Sequence, residues 1–379
     1  MIIWIPEFKY NAATVVFIVF ASFVFLQFLY VLLIHQKLAF YKEQAITSET
    51  KFPPVSVIIA ARNEEDNLYE NLPSILSQDY PEFEVIVVNN QSIDDSGWLL
   101  NAYSRQFPNL RVVELGKNRH LRPGKKLPIT LAIKAAKYEH FVLTDADCKP
   151  TSMNWLKLMA SKFNDQKQIV IGYGPFTKTK GFVNRIIRFD TAWIGVNYLS
   201  MALAKVPYMG VGRNIAYTKS VFNSVNGFKS HYSISSGDDD LFIQEAAKKK
   251  NYTIQVDPDS YCYSPAAPNW TRWVYQKTRH YSTSGRYKKF KKYLLGIYPL
   301  TLVAMYGTFI PLLFFKEMII LSSVIFLFIL LFKWWIQGRC FRQIKEKSFG
   351  NYFLFWDLFY AFLIPFLYYI SERKKIYRW

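Results

Sequence analysis

The sequence predicts an α/β domain, built on a mostly parallel sheet and flanked on both sides by membrane-crossing segments. Three observations carry this. Strand-like apolar runs alternate with helical runs through residues 53–284, the pattern of a sheet covered by helices. Long apolar runs stand before and after that region. Within it, the run Phe141-Val142-Leu143-Thr144 ends in two carboxylates, Asp145 and Asp147. Alternate residues of an extended segment point the same way, so the two acids can face one point beyond the strand end. In open α/β sheets that crevice is where ligands bind, and two hard oxygen donors there suit Mg2+ or Mn2+ together with a phosphate.

Composition narrows the class of partner. Of 379 residues, 51% are hydrophobic and 18% aromatic, high for a soluble protein. The net charge of +19 fits nucleic acid, an anionic membrane surface or an anionic substrate. The basic residues cluster beside apolar runs, as in Lys288-Lys289-Phe290-Lys291-Lys292, and there is no recognition-helix or zinc-finger pattern, which argues against nucleic acid. Cys148, Cys262 and Cys340 are scattered without disulfide or metal spacing, so a reduced, cytosolic environment fits.

The elements follow in order. Residues 12–34 carry no charge, follow no basic segment and precede no small-residue cleavage site, so they read as a retained anchor. Lys37 and Lys42 behind the anchor place the central region in the cytoplasm. Val55-Ser56-Val57-Ile58-Ile59-Ala60-Ala61 is a buried strand, apolar as parallel strands tend to be. Arg62-Asn63-Glu64-Glu65-Asp66-Asn67 opens a helix through Leu68, Leu72, Ile75 and Leu76, its first-turn acids suiting the helix dipole. Residues 83–88 form a second strand ending in Asn89-Asn90-Gln91-Ser92, and Ile93-Asp94-Asp95-Ser96 starts the next helix. Residues 110–115 are a third strand, and the turn Pro123-Gly124-Lys125-Lys126 leads into a helix over 128–136 and then to the Phe141 strand.

The second half is less regular. Residues 169–173 read as a strand. Gly210-Val211-Gly212-Arg213-Asn214 is a glycine-rich loop that an ordinary tight turn would also explain. Ser235-Ser236-Gly237-Asp238-Asp239-Asp240 opens a helix over 241–250, where three adjacent acids either cap the helix or form a site. Residues 270–284 are basic, aromatic and amphipathic, as an interfacial helix is, with Gln276 and Arg279 on one face. Runs 294–315 and 318–335, split by Lys316-Glu317, read as a membrane hairpin whose return end carries a cytoplasmic signature, Lys333, Arg339, Arg342, Lys345 and Lys347. The last run, 352–370, contains Pro365 and many aromatics. If it crossed, Arg373-Lys374-Lys375 would lie outside against the charge rule, so an interfacial or re-entrant segment is expected.

The ordered set of motifs resembles the membrane-bound family-2 glycosyltransferases with an A-type nucleotide-sugar fold. The resemblance rests on Val57-Ile58-Ile59-Ala60-Ala61-Arg62-Asn63-Glu64-Glu65, Gly124-Lys125, Asp145-Ala146-Asp147, Asp238-Asp239-Asp240-Leu241 and Gln276-Lys277-Thr278-Arg279-His280. The flanking apolar runs match ceramide-glucosyltransferase-like members and polysaccharide-synthase relatives. It implies that Arg62 and Glu64 lie near the nucleoside, Lys125 near the uracil or diphosphate, and that Asp145 and Asp147 hold the nucleotide and a Mg2+ or Mn2+ ion. It puts Asp238 on the catalytic base, with Asp239 in reserve, and has Gln276 and Arg279 clamp the donor diphosphate or the acceptor site. Three positions depart from the family pattern. Asn89-Asn90 replace a usual Asp-Asp, leaving an amide, Asn90, to contact the base edge. Gly237 stands where Glu is common, and His280 replaces a Trp, adding a titratable donor to the nucleotide-sugar set.

The activity implied is inverting transfer of one sugar from a nucleotide sugar, expected to be a UDP-sugar, to a membrane lipid or lipid-linked acceptor. A hydroxyl is a poor nucleophile and needs a carboxylate base within reach. The departing diphosphate needs cations, here the metal, Lys125 and Arg279. A processive polysaccharide synthase is the second enzyme reading, but it needs a protein-lined channel that three or four spans in one subunit do not readily build. A non-catalytic membrane scaffold is disfavoured by Asp145, Asp147, Asp238 and Arg279 standing together. The expected organisation is an N-terminal anchor over 1–40, a cytoplasmic catalytic domain over 53–268, an interfacial segment over 269–293 and a C-terminal membrane region over 294–379. A bacterial cell membrane is the expected location.

Overall fold

Apolar residues at nearly every position of 55–61 leave no face for water, and this strand lies inside the sheet, paired on both sides. The computed structural model describes residues 11–116, 124–234, 236–248 and 250–373. Its strands are β1 (Val55–Ala61), β2 (Phe83–Asn90), β3 (Leu110–Leu115), β4 (His140–Leu143), β5 (Lys149–Pro150), β6 (Ile169–Ile171), β7 (Ile215–Thr218), β8 (Tyr252–Ile254) and β9 (Cys262–Tyr263). Seven of them form one sheet in the order β3-β2-β1-β4-β7-β6-β8, and β5 pairs with β9 in a separate ribbon. β3, β2, β1 and β4 run parallel, β6 and β8 run parallel, and β7 is antiparallel to both its neighbours. The strand order reverses between β1 and β4. Their C-terminal ends therefore open the crevice in which such sheets bind ligands, and Arg62 and Asp145 emerge there.

The sequence reading meets the sheet closely in its first half and needs correction in its second. Helices Glu65–Leu76, Ser96–Gln106 and Lys126–Ala135 connect the first four strands as expected. β6 stops at Ile171, short of Tyr173, and the helix behind the acidic run ends at Ala246, short of Lys250. Neither the 22-residue helix Phe182–Leu203 nor β7 was anticipated. The core joins both halves: Val57, Ile59, Val85, Val87, Val142, Trp155, Val170 and Ala216 pack in one buried cluster.

By contact density the chain divides into two units, residues 42–287 with 368–379, and residues 1–41 with 288–367. The second unit holds helices long and apolar enough to cross a membrane: Ala12–Ala39, Lys289–Leu312, Ile319–Gln343 and Phe353–Ile370. The last run is thus a helix of spanning length, with Pro365 inside it. A buried polar network links all four. Lys333 Nζ bonds Asp357 at 2.8 Å and Gln27 at 3.0 Å. The Tyr298 hydroxyl donates to Asp357 at 2.8 Å, and Gln337 reaches both that hydroxyl and His35 at 2.9 Å. Lys333 is therefore not a solvent-facing basic residue of the hairpin's return end, as its sequence position implied. It is fully buried and paired, because an unpaired ammonium there would be costly.

Candidate active site

The loops after β1 and β2 are stitched together by short polar side chains. Asn63, in the left-handed region at φ 55°, accepts from the Ile93 amide at 2.8 Å, and its own amide donates to Ser92 at 2.9 Å. Arg62 is half-buried at the end of β1. Glu64 follows, held by Asn67 at 2.6 Å. Burial first, then the nearby Asp147 and Asp145, push the Glu64 carboxyl up, against the Asn67 bond and Lys125. Asn89 turns its amide to Glu114 at 2.9 Å, across to β3, while Asn90 is buried at the end of β2.

Beyond β4 the chain turns, and Asp145 and Asp147 lie half-buried. Lys125 Nζ contacts Asp145 at 2.6 Å. Burial opposes ionisation of Asp145, but Lys125, Arg213 and Arg279 together outweigh it and hold the carboxyl below its usual range. Lys125, although desolvated, is pushed up in turn by Asp145, Asp238 and Asp147, so it stays an ammonium. Asp147 accepts from the Ser264 hydroxyl at 2.8 Å. Ligand atoms of Asp145, Asp147 and Cys148 lie within 4.8 Å of one another. Burial pushes the Cys148 thiol up, so it stays protonated and the two carboxylates are the donors a hard ion would use. The residues present thus fit a divalent cation with an anionic ligand beside it.

The acidic run is a set of three carboxylates in different circumstances. Asp240 is buried and accepts from Tyr287 at 2.7 Å, from Thr283, and from the Leu241 amide at 2.7 Å. Asp239 caps the helix Asp240–Ala246, its two oxygens taking the Asp240 and Gly212 amides at 2.8 and 3.0 Å. Burial, with Asp238 and Asp240 adjacent, pushes Asp239 up to about 7. Asp238 has no hydrogen-bond donor among the described residues, and its field reaches Lys125 and Lys126. Gly237, where the family often has Glu, sits at φ +98°, and a Cβ there would meet Leu241 at 2.7 Å.

Helix Trp270–Ser284 brings the last candidates. Lys277 faces inward and pairs with Asp190 at 2.8 Å to each oxygen, which anchors the helix. Gln276 and Arg279 are half-buried on another side. The Arg279 Nε is buried without a partner among the described residues, while its charge bears on Asp145. His280 is exposed, yet the protein mass around it and the cations Arg279, Lys277, Arg213 and Lys125 hold its imidazole well below the ordinary value.

Thus Glu64, Lys125, Asp145, Asp147, Asp238 and Arg279 share one electrostatic neighbourhood, with Asn90 at the same sheet edge. Sequence reasoning passed over three contributors. Ser264 bonds Asp147 from 117 residues away. Arg213 stacks on Phe176 at 4.1 Å and bears on Asp145; its glycine-flanked loop was the one available signal. Lys126 is buried and donates to the carbonyls of His231, Ile234 and Ser236 at 2.6, 2.9 and 2.7 Å, pinning the loop that leads to Asp238. Burial pushes Lys126 down to about 8, against the pull of Asp238, Asp240, Asp239 and Glu245.

Comparison with known proteins bears on the family and the fold. Residues 56–224 match Glycosyl transferase family 2. Over 238 residues the chain is 26% identical to the Probable glycosyltransferase YdaM of Bacillus subtilis, covering 60% of this chain and 54% of that protein. Over 132 residues it is 28% identical to the UDP-Glc:alpha-D-GlcNAc-diphosphoundecaprenol beta-1,3-glucosyltransferase WfaP of Escherichia coli, covering 34% and 48%. The chain spans about half the length of these two curated relatives. A mannosyltransferase of Pyrobaculum calidifontis, solved with GDP-Man and Mn2+, superposes with a TM-score of 0.54 at 17% identity, over 89% of this chain and 96% of that one, and so shares the fold. Residues 56–224, with the parallel half-sheet and the Asp-x-Asp turn at its switch point, thus form a Glycosyl transferase family 2 domain.

Proposed function

We propose that the protein transfers one sugar from a nucleotide sugar to a lipid or lipid-linked acceptor, with inversion at the anomeric carbon. The observation that carries this is the set around Lys125: paired Asp145, Asp147 beside it, Asp238 without a donor, and the orphaned Nε of Arg279. Asp238 accepts the proton of the acceptor hydroxyl as that oxygen attacks, since its lone pairs are uncommitted, unlike those of Asp239 and Asp240. Lys125 and Arg279 receive the charge gathering on the departing diphosphate. Asp145 and Asp147 would hold Mg2+ or Mn2+, which when bound supplies further compensation for that charge. Arg62, Glu64 and Asn90, at the ends of β1 and β2, are assigned to the nucleoside, with Gln276 and His280 bordering the donor from the last helix.

A UDP-sugar donor and a lipid-linked acceptor are supported by the activity for which the Escherichia coli relative is named. We further assign residues 42–287 as a cytoplasmic catalytic unit in a bacterial cell membrane. The tail is assigned to the same side, because the Tyr368 ring lies 6.0 Å from that of Tyr281 on the interfacial helix. The test is incubation of the purified full chain with a panel of sugar nucleotides and total membrane lipid, followed by mass spectrometry. A single hexose or N-acetylhexosamine on one lipid class is expected. A ladder of sugars would establish the processive synthase instead, and no turnover of any sugar nucleotide would leave the scaffold.

A further inference from the structure

A cavity of about 510 Å3 lies at the start of helix Phe182–Leu203, outside the residues assigned above. Its walls carry Lys178, Lys180, Arg185 and Arg188, with no carboxylate among its described lining residues. Lys178, Lys180 and Arg185 are exposed, so the cavity is open to an anion from outside. The loop that shapes it is built rather than loose. Asn184 accepts from the Thr179 amide and donates to the Thr177 carbonyl, both at 3.1 Å, folding 177–181 back over the first helical turn.

Both ends of this segment are tied to the proposed catalytic machinery. On one side the Thr177 amide donates to the Ser264 carbonyl at 2.9 Å, and Ser264 holds Asp147. On the other side the helix carries Asp190, bonded to Lys277 in the Gln276–Arg279 stretch. The segment that lines the cavity is therefore bonded at one end to the residue that holds Asp147 and at the other to the helix that carries Arg279. At its rim Phe182 is 65% exposed. An exposed aromatic ring beside a cluster of cations suits an amphiphile, with apolar chain on the ring and phosphate in the basic pocket.

We propose that this cavity binds the phosphate of an amphiphilic acceptor, a lipid bearing a phosphate or diphosphate head group. The inference rests on the reading of the protein as a sugar transferase to lipid, and names the acceptor's chemical class. The exposed Lys178, Lys180 and Arg185 can give a phosphate charge-assisted bonds that a neutral lipid alcohol could not form.

The test is equilibrium binding to the full-length protein in detergent, with farnesyl phosphate, farnesol and inorganic phosphate as probes. Farnesyl phosphate is expected to bind at least about tenfold more tightly than either of the others. The double variant Lys180→Gln, Arg185→Gln is expected to weaken it about tenfold or more, and Lys180→Arg to leave it intact. Both variants lie on exposed positions, and a matching unfolding temperature confirms that they fold. Farnesyl phosphate binding no better than farnesol, or the double variant binding it as the wild type does, would overturn the proposal. Inorganic phosphate binding as tightly as farnesyl phosphate would overturn the lipid as its source and leave a free-anion site. Wild-type sugar transfer to a neutral lipid alone would sink this inference while leaving the transferase reading standing.

Discussion

Two buried polar clusters in this molecule are built on opposite principles. In the membrane-type unit, Lys333, Asp357, Gln27, Tyr298, Gln337 and His35 form a network in which the one ammonium meets the one carboxylate, with only the Gln337 Oε1 left without a partner among the described residues. In the other unit, Asp238, Asp239 and Asp240 are consecutive, and Lys126, which feels all three, spends its donors on backbone carbonyls. The first cluster lowers the cost of burying charge; the second raises it, as Asp239 at about 7 records. A polar group held against its own preference marks a site more reliably than one that is satisfied. By this argument the Lys333–Asp357 pair holds helices together, while the acidic run is where the proposed chemistry is expected.

The largest effect should come from the acid that lacks donors. Asp238→Asn nearly preserves volume but cannot take the proton, so donor binding should stay near normal while single-turnover transfer falls about 10²–10⁴-fold. Should Asp239→Asn abolish transfer and Asp238→Asn leave it untouched, the base is Asp239 and not Asp238. Next is the pair after β4. Asp147→Ala should remove metal-dependent nucleotide binding from a protein that still folds, because Ser264 loses only one bond. Equal nucleotide affinity with and without a chelator, in both proteins, would refute a metal at Asp145 and Asp147.

The charge-paired cluster makes the opposite kind of prediction. Lys333→Met leaves Asp357 buried without its ammonium and should cost about 3 kcal/mol or more of stability, read by thermal unfolding in detergent. The double variant Lys333→Met, Asp357→Leu should recover much of that loss, because neither charge is then stranded. If the double variant is as unstable as the single, or if transfer falls with either while stability holds, the network has a role in function and the contrast between the two clusters fails.

How much of this was legible in the sequence follows from the range of the interactions. β1, β2 and β4 read correctly because each is a local apolar run closed by a polar turn, with no solvent face to break the pattern, and β3, at the sheet edge with Arg111 and Glu114 exposed, still shows Leu110, Val112, Val113 and Leu115. The Asp145–Asp147 spacing was visible for the same reason. β7 and helix Phe182–Leu203 were not, because their residues are fixed by distant partners: Tyr217 by Phe141 across the sheet, Asp190 by Lys277 from 87 residues away. Two adjacent lysines, Lys125 and Lys126, do unrelated work, one at Asp145 and one under the acidic loop, and no spacing rule separates them. Lys333 misled because a basic residue late in an apolar run resembles a flanking charge until its partner on another helix is seen.

The smallest expected effect is the most discriminating, and it concerns Asp239. Its carboxyl sits at about 7 in the folded protein against 3.8 for the free group. A raised value means the folded state holds the proton more tightly than the unfolded chain. The associated stability is therefore fully present below about pH 4 and is lost as pH rises through about 7. Asp239→Asn keeps an oxygen for the Asp240 amide but offers no second acceptor to Gly212, a loss of about 1 kcal/mol, partly offset above pH 7 by relief of repulsion with its neighbours. Unfolding measured from pH 5 to 8 should show a shallower decline in the variant than in the wild type. Transfer should keep the same pH–rate profile in both if Asp238 is the base. A wild-type rate that climbs through pH 7, and an Asp239→Asn profile that does not, would instead make the strained cap itself the proton acceptor.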